Sequence, residues 1–512
     1  MALMQAALTL IGGGLFFTSH EADMVHLSDL VLRQSAGAVF HHDIATPVGG
    51  WATLPMALLH RAGLGLGSAM VWGQMVALVV LLPPLALIAL RRLTVVQAAV
   101  FGLCVTGLTG ALVFGGTDPL VSLSMHYNRW CWAASSIVVL AVFLPGTRPK
   151  SVGEGIAIGW LMAAMAMIKV SFPVALALPV IFGLLRNGRT KTLLAAIGTA
   201  LIVLGAVTMV LGVGYWQAYL ADLLTVAGSP NRAAPGADWR ALILSPAGLP
   251  VTLVAAALIY FGGRIGRKDL AALTLLFFAA FTFISWQNYG NDPIWLAVIA
   301  LIGWCLSQGG QGAGYRGLRM TAVAAGVLVL PMMANVLYSP LRHVLAPADL
   351  SRPLLPGDAS LRMVTARAEA AFAKVTLVAP PDQTAAVFRG RDLPECELSG
   401  GLITTLERDA AELTRLDPTI DRQPLVADLF QAHWMFAGLR PLQGGTPWYY
   451  DGLPGLADAT HVMVPDCPAD LRARQRVTDL LDQAGVTLEE VGRTEAFTLY
   501  RITGQENAAN AT

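Results

Sequence analysis

Hydrophobic positions in the first 340 residues fall in long unbroken runs, and those in the remainder alternate with polar ones. Eleven apolar runs lie near 2–18, 68–90, 94–115, 130–146, 153–169, 171–185, 192–214, 241–262, 270–286, 293–307 and 320–338. At 1.5 Å per helical residue, runs of this kind cross about 30 Å of hydrocarbon. They predict about eleven transmembrane helices. The first run has no basic start and no small-x-small cleavage site near Phe17-Thr18-Ser19-His20, so we read it as a retained span and not as a signal peptide. Between the fifth and sixth runs, Lys169-Val170-Ser171-Phe172-Pro173 predicts a tight turn at the membrane surface.

Past residue 340 the period changes. Lys374-Val375-Thr376-Leu377-Val378 and His461-Val462-Met463-Val464 are short β-branched runs, Arg472 to Ala484 is amphipathic and stopped by Gly485, and Ala496 to Arg501 closes as a strand. Two domains follow: residues 1–340, a polytopic α-helical membrane domain with a long first outer loop at 19–67, and residues 341–512, a soluble α/β domain. Residues 504–512 are small and polar and read as a frayed end.

Composition sharpens this division. Only 13% of the 512 residues are charged and 55% are hydrophobic, against about 25% charged in a soluble domain. The whole chain is therefore not a water-soluble enzyme. Of its 67 charged side chains, 39 lie in residues 341–512. A net charge of +1, with 34 Lys and Arg against 33 Asp and Glu, gives nucleic acid no electrostatic footing.

Cations in the loops set the orientation. Arg91, Arg92, Arg148, Lys150, Arg186, Arg189, Lys191, Arg264, Arg267, Lys268, Arg316 and Arg319 fall in alternate loops, against Arg33, Arg61, Arg129, Lys169, Arg232 and Arg240 on the other side. The richer side is cytoplasmic, so the amino terminus is expected inside and the carboxyl-terminal domain outside. Localisation is then the inner, cytoplasmic membrane, with a periplasmic or otherwise extracytoplasmic domain. Cys396 and Cys467 share that domain, where an oxidising compartment permits a bridge; a disulfide and two free thiols both remain open. Cys104, Cys131 and Cys305 sit in spans as packing residues.

Eight of the ten acidic residues before position 341 fall on the outer side, with His20, His26, His41, His42, His60 and His126. Carboxylates contribute little to orientation, so the cluster points to polar chemistry, with ordinary solvated loops as the plain alternative. The first outer loop begins His20-Glu21-Ala22-Asp23-Met24-Val25-His26, and apolar residues at 24, 27, 30 and 31 predict a helix along the membrane surface. It continues through His41-His42-Asp43-Ile44-Ala45-Thr46-Pro47-Val48-Gly49-Gly50, a turn imposed by Pro and paired Gly. Asp23 and Asp43 are expected to converge.

This pattern resembles the GT-C superfamily of integral-membrane glycosyltransferases, in particular its protein mannosyltransferase-like and aminoarabinose transferase-like members. Asp23 after the first span, followed by Asp43-Ile44-Ala45-Thr46-Pro47-Val48-Gly49, is similar to the Asp-then-Asp-Phe-x-x-Pro-x-Gly form of bacterial members, with Ile44 in the aromatic position. Gly116-Thr117-Asp118-Pro119, His126-Tyr127-Asn128-Arg129-Trp130, the Lys169 turn and Asn288 to Pro293 also look like segments of that group. The resemblance covers residues 1–340. It implies inverting hexosyl transfer from a polyprenyl-phosphate sugar to a lipid, glycan or protein acceptor on the outer face, within membrane lipid and without nucleic acid. Asp23 is then the general base, with Asp43 as a second catalytic carboxylate. Glu21, His26, His42, His126, Tyr127, Asn128, Arg129, Lys169, Asn288 and Asp292 are the expected substrate-binding residues. Lys169 and Arg129 are expected to meet phosphate. Each has a structural alternative: Asp23 as a helix cap, Asp43 as a turn residue, Lys169 as a snorkelling cation, Asp292 as the cap before Pro293. No metal or cofactor is expected, and no Gly-rich phosphate loop points to a soluble nucleotide sugar. Two other function classes compete: a transporter or flippase of a polar or lipid-linked substrate, and a non-catalytic scaffold. Gly444 to Gly452 is aromatic and Gly-rich, either a packed loop or a sugar-stacking surface.

Overall fold

The computed structural model describes residues 7–8, 11–146, 151–230, 238–288, 293–346, 348–377 and 386–505. Asp292, Arg148, Lys150 and Arg232 lie outside the described residues. The protein is helical, with small sheets toward its carboxyl end.

The helix bundle is built around one element, α5 (His126–Phe143). Every residue of it except Tyr127 is buried, as an apolar helix without an exposed stripe requires. Around it pack α3 (Leu66–Ala89), α4 (Val95–Gly110), α6 (Val152–Ile168), α7 (Ser171–Arg186) and α13 (Leu296–Ser307). Outside these lie α8 (Thr190–Leu211), α11 (Gly248–Arg264), α12 (Lys268–Gln287) and α14 (Ala313–Leu345). Helix α8 touches α6 over Gly155 and Gly159, where an added Cβ would come within 2.3 Å of the Thr192 carbonyl and 2.1 Å of the Ala196 carbonyl. Small residues four apart let apolar helices approach without a hydrophobic drive. The far face of α8 exposes Leu194, Leu201, Ile202, Met209 and Val210. Among the described residues, α3, α8, α12 and α14 are long and apolar enough to cross a membrane, and α4, α6, α7, α11 and α13 are shorter apolar helices.

Contacts sort the connections into two ends. At one, the buried Glu154 carboxylate meets Arg92 at 2.7 Å, Arg91 at 3.4 Å and Arg189. These residues come from the ends of α3, α6 and α8, and Arg92 and Arg189 also donate to the Ala141 carbonyl at the end of α5. At the other end, α1 (Glu21–Ser35), α2 (Leu54–Arg61), α9 (Gly214–Gly228) and the carboxyl-terminal domain meet one another.

Four expectations change. The far end of the run at 2–18 is a strand, β1 (Leu15–Phe17), paired in parallel with β3 (Leu361–Val364), whose other neighbour is β2 (Ser351–Pro353). An apolar triplet reads alike in a span and in a buried strand, and all three residues are buried. The run at 241–262 is divided into α10 (Trp239–Leu244) and α11, turned at Ser245 and Pro246. The loop after the seventh run holds α9. The surface helix exists as α1, yet it is enclosed: Met24, Val25, Leu27, Leu30 and Val31 are all buried.

The later domain follows its expected elements. Strands β8 (Leu425–Val426), β9 (His461–Pro465), β10 (Val486–Arg493) and β11 (Phe497–Gln505) form one sheet in the order β10-β11-β9-β8, with only β8 and β9 parallel. Helices α16 (Leu402–Leu416) and α18 (Leu471–Gln483) accompany it, after a single turn, α15 (Thr365–Ala368). The run at 374–378 appears as β4 (Ala373–Thr376), paired with β7 (Cys396–Gly400), while β5 (Val387–Phe388) and β6 (Arg391–Asp392) make a minor hairpin. Cys396 and Cys467 are bridged, their Cα atoms 4.8 Å apart, within the usual disulfide span.

Candidate functional site

Lys169 ends α6 in extended backbone and is half-buried. Its ammonium donates to Asn128 Oδ1 at 3.0 Å and to Asn288 Oδ1, and lies 5.3 Å from the centre of the Tyr127 ring. Four of the residues expected from sequence thus meet, brought from the start of α5, the α6–α7 turn and the end of α12. An ammonium only donates, so both amides must turn their oxygens to it. Both Nδ2 groups are consequently buried with no acceptor. Three hydrogen-bond donors gathered where two lack a partner form a ready seat for an anionic oxygen.

Asp23 occupies the first turn of α1, where the helix dipole favours a carboxylate. Residue His20 opens that helix in the left-handed region (φ 62°), its ring stacked on Phe114 with centroids 5.1 Å apart. Burial pushes the Asp23 carboxyl above its ordinary range, and the Ser124 hydroxyl and His20 offset this only in part. The Ser124 hydroxyl lies beside Asp23 without closing a hydrogen bond of normal geometry.

Arg129 takes a different part from the one expected. Its guanidinium donates to the carbonyls of Ser124 (3.0 Å), Phe114 (3.0 Å) and Ala111 (3.1 Å) and is 1% exposed. Those bonds engage both terminal nitrogens, while its Nε stays buried without an acceptor. Arg129 instead fixes the short segment that presents Ser124 toward Asp23 and Asn128 toward Lys169. His126 likewise is held within the protein, Nε2 to the Ala52 carbonyl at 2.8 Å.

The first outer loop is pressed onto the Lys169 turn. Gly49 N–H donates to the Ile168 carbonyl at 3.0 Å, and a Cβ on Gly49 would stand 2.2 Å from the Met167 carbonyl. Only glycine permits that approach. Asp43 does not share a partner with Asp23. It accepts from Val39 N–H (2.7 Å), His42 (2.9 Å) and Gln443 (3.4 Å). Burial raises its pKa, and these bonds outweigh burial and hold it below the ordinary range. It therefore acts as the turn residue, with His42 exposed beside it. Glu21 pairs with Arg367 at 2.7 Å, and His26 sits edge-on to Trp448 at 5.7 Å with its pKa lowered by burial to about 4. Asp292 lies outside the described residues.

Several residues of this region escaped the sequence reading. Asp29, fully buried, accepts from Trp434 Nε1 at 2.5 Å and faces Arg33 at 3.7 Å. Arg33 in turn donates to the carbonyls of Asp43 (2.5 Å), Leu442 (2.8 Å) and Gly445 (3.3 Å). Trp434 stands on α17 (His433–Ala437), so this strap ties α1 to the carboxyl-terminal domain. The four-residue spacing of Asp29 and Arg33 was the available signal. His41 and Asp222, 2.8 Å apart, join the loop to α9, with Tyr219 stacked on the His41 ring; a separation of 181 residues left no local sign. Within 444–452, Trp448 packs on His26 and Phe430, and Tyr449 is buried, so the segment is chiefly a packed loop. Tyr450 lines a cavity of about 610 Å³ with Asp222, Thr225, Gln443, Asp451 and Arg476. Among the described residues no three His, Cys, Asp or Glu side chains are grouped to hold a metal ion.

No protein-family model matches the chain, and no curated protein matches it significantly.

Proposed function

We propose that this protein is an integral-membrane glycosyltransferase of the GT-C type. It moves a sugar with inversion from a polyprenyl-phosphate donor to a lipid, glycan or protein acceptor on the extracytoplasmic face of the cytoplasmic membrane. The observation that carries this proposal is the Lys169 ammonium flanked by two buried amide groups whose N–H donors have no acceptor. A phosphate oxygen entering there satisfies both amide donors beside the ammonium. Asp23 is carried beside Ser124, four residues before Asn128, so base and cation are mounted on the same segment. In the reaction the acceptor O–H gives its proton to Asp23 and its oxygen bonds the anomeric carbon. The bond from that carbon to the phosphate oxygen breaks, and the electron pair leaves on the phosphate beside Lys169. Burial makes Asp23 a stronger base than a solvated carboxylate, as this role asks.

The two-ended arrangement supports the outward topology. Helix α9, the Lys169 turn, Asn288 and the first outer loop all belong to the end that touches the carboxyl-terminal domain, opposite the Glu154 and arginine cluster. Ten helices, α3 to α8 and α11 to α14, carry the chain from the first outer loop back to the side of the carboxyl-terminal domain. The Cys396–Cys467 bridge suits an oxidising compartment.

The test is transfer from a polyprenyl-phosphate sugar in membranes carrying equal amounts of protein. Asp23→Asn should lower the rate by about 10²- to 10⁴-fold, the usual share of a general base. Undiminished transfer by that variant would end the assignment of Asp23. The sugar itself is read by mass spectrometry of lipid-linked and surface glycans with and without the gene.

A further inference from the structure

A second cavity, of about 140 Å³, opens in the carboxyl-terminal domain away from Asp23 and Lys169. Its wall includes Asp409 from α16, Asp428 from the segment after β8, and His433 at the start of α17; Phe372 and Phe430 contribute aromatic faces. His433 is 4% exposed, and its Nδ1 has no hydrogen-bond partner. The other ring nitrogen stands 4.0 Å from Asp409 Oδ2, too far for a hydrogen bond. A buried imidazole left unpaired on both sides is costly unless something enters to meet it.

The charges define what enters. Asp409 is paired to Arg408 at 2.7 Å. Asp428 is bound by the backbone N–H groups of Leu429, Ala469 and Asp470 at 2.6 to 3.1 Å. Burial raises Asp409 to about 6 and Asp428 to about 7, Asp409 despite the nearby Arg408 and Asp428 despite its backbone donors. Asp466, paired to Arg391 at 3.0 Å, Glu495, Lys374 and Arg408 also line the cavity, so an anion would meet four carboxyl groups and a cation would meet Lys374 and Arg408. A neutral ligand that both donates and accepts fits, as hydroxyl groups do. Phe372, 37% exposed, carries the Arg408 guanidinium 5.1 Å from its ring centre and offers its other face to the ring that bears those hydroxyls. The volume holds several waters, which matches one sugar unit and excludes an oligosaccharide.

We infer that this cavity is a binding site for a single neutral pyranose unit of a glycan, held by Asp409, Asp428 and His433 and stacked on Phe372. His433 is followed in the chain by Trp434, which bonds Asp29 on α1, so the occupied cavity shares its short helix with the strap to the membrane domain.

Saturation-transfer NMR on the full chain in detergent tests this, with a panel of neutral methyl hexopyranosides and one aminohexoside as probes. At least one neutral hexoside should show saturation. Phe372→Ala, at the exposed mouth, should weaken its Kd about tenfold, and Asp409→Asn should weaken it further, while Arg476→Ala at the larger cavity leaves it unchanged. No saturation of any neutral hexoside by folded protein overturns the inference. So does a signal that survives both Phe372→Ala and Asp409→Asn, or binding confined to the aminohexoside. The readout is binding and not transfer, so failure here leaves the assignment of Asp23 and Lys169 standing, and failure of that assignment leaves this site standing.

Discussion

Lys169 is the residue on which the proposed transfer turns, because its two amide neighbours surrender their oxygens to it and keep idle N–H groups. Replacing Asn288 with Asp should put a carboxylate beside Lys169 in place of that idle donor. Hydrogen bonds to charged groups contribute about 1.5–3 kcal/mol, so Asn288→Asp should raise the KM for the polyprenyl-phosphate donor about 10- to 100-fold with a smaller change in kcat. Steady-state kinetics in membranes checks the split; an unchanged KM would contradict phosphate at that seat. His26 gives a second expectation, in stability. Its folded pKa is about 4, against about 6.5 unfolded. The folded state therefore binds fewer protons between those values, and the stabilisation by the neutral ring, complete above pH 6.5, is lost as pH falls through 4. His26→Leu should flatten the acid side of the thermal-unfolding profile between pH 6.5 and 4 relative to the parent. Sequence made Lys169 visible because a cation at the edge of an apolar run is costly and demands a reason, and Asn128, Tyr127 and Asn288 followed from the resemblance to GT-C segments. Arg129 marks the limit of that reading, since a cation at a span edge looks the same whether it turns to phosphate or, as three of its bonds here do, to carbonyls.

Among the elements, the first outer loop is defined by what it touches. Gly49→Ala would drive a methyl group to 2.2 Å from the Met167 carbonyl, and relief by shifting the loop costs about 1–3 kcal/mol. The shift moves the loop off the Lys169 turn, so transfer should fall along with thermal stability, measured side by side on one preparation. Trp434→Phe tests the strap differently. It keeps an aromatic ring, though a smaller one, and strips the donor from a fully buried Asp29, a loss of about 1–3 kcal/mol. Earlier release of the carboxyl-terminal domain in limited proteolysis is the expected sign. Such contacts explain the limits of reading elements from pattern. Helix α1 was legible from its apolar spacing, but its enclosure was not, because the covering surface is assembled from separate segments, Met56, Met70, Leu123 and Trp130 together with Ala432 and Met435 some 400 positions later. Leu15-Phe16-Phe17 reads as the end of a span only while β3 is out of sight.

At the scale of the molecule, the cation pattern and the packing agree on which connections lie together. Arg91, Arg92 and Arg189, assigned to the cytoplasmic side by loop charge, converge on Glu154 in the fold, while the turns assigned outside converge on the strap and the disulfide domain. Charge alone set the first division, and the second depends on contacts that hydropathy does not see. Single cysteines placed at Asn187, beside the arginine cluster, and at Gln443, exposed near Asp43, separate the two faces without relying on either. In right-side-out vesicles a membrane-impermeant maleimide should label Gln443→Cys and spare Asn187→Cys, and inversion of the vesicles should exchange the two results. Reduction supplies an independent reading of the same topology. The bridge closes a loop of 71 residues, a constraint of about 4 kcal/mol on the unfolded chain, so an impermeant reductant applied to right-side-out vesicles should lower the unfolding temperature of the outer domain. If that reductant acts only after the vesicles are inverted, the arginine cluster faces outward and the transfer reaction proposed for Asp23 and Lys169 would have to face the cytoplasm.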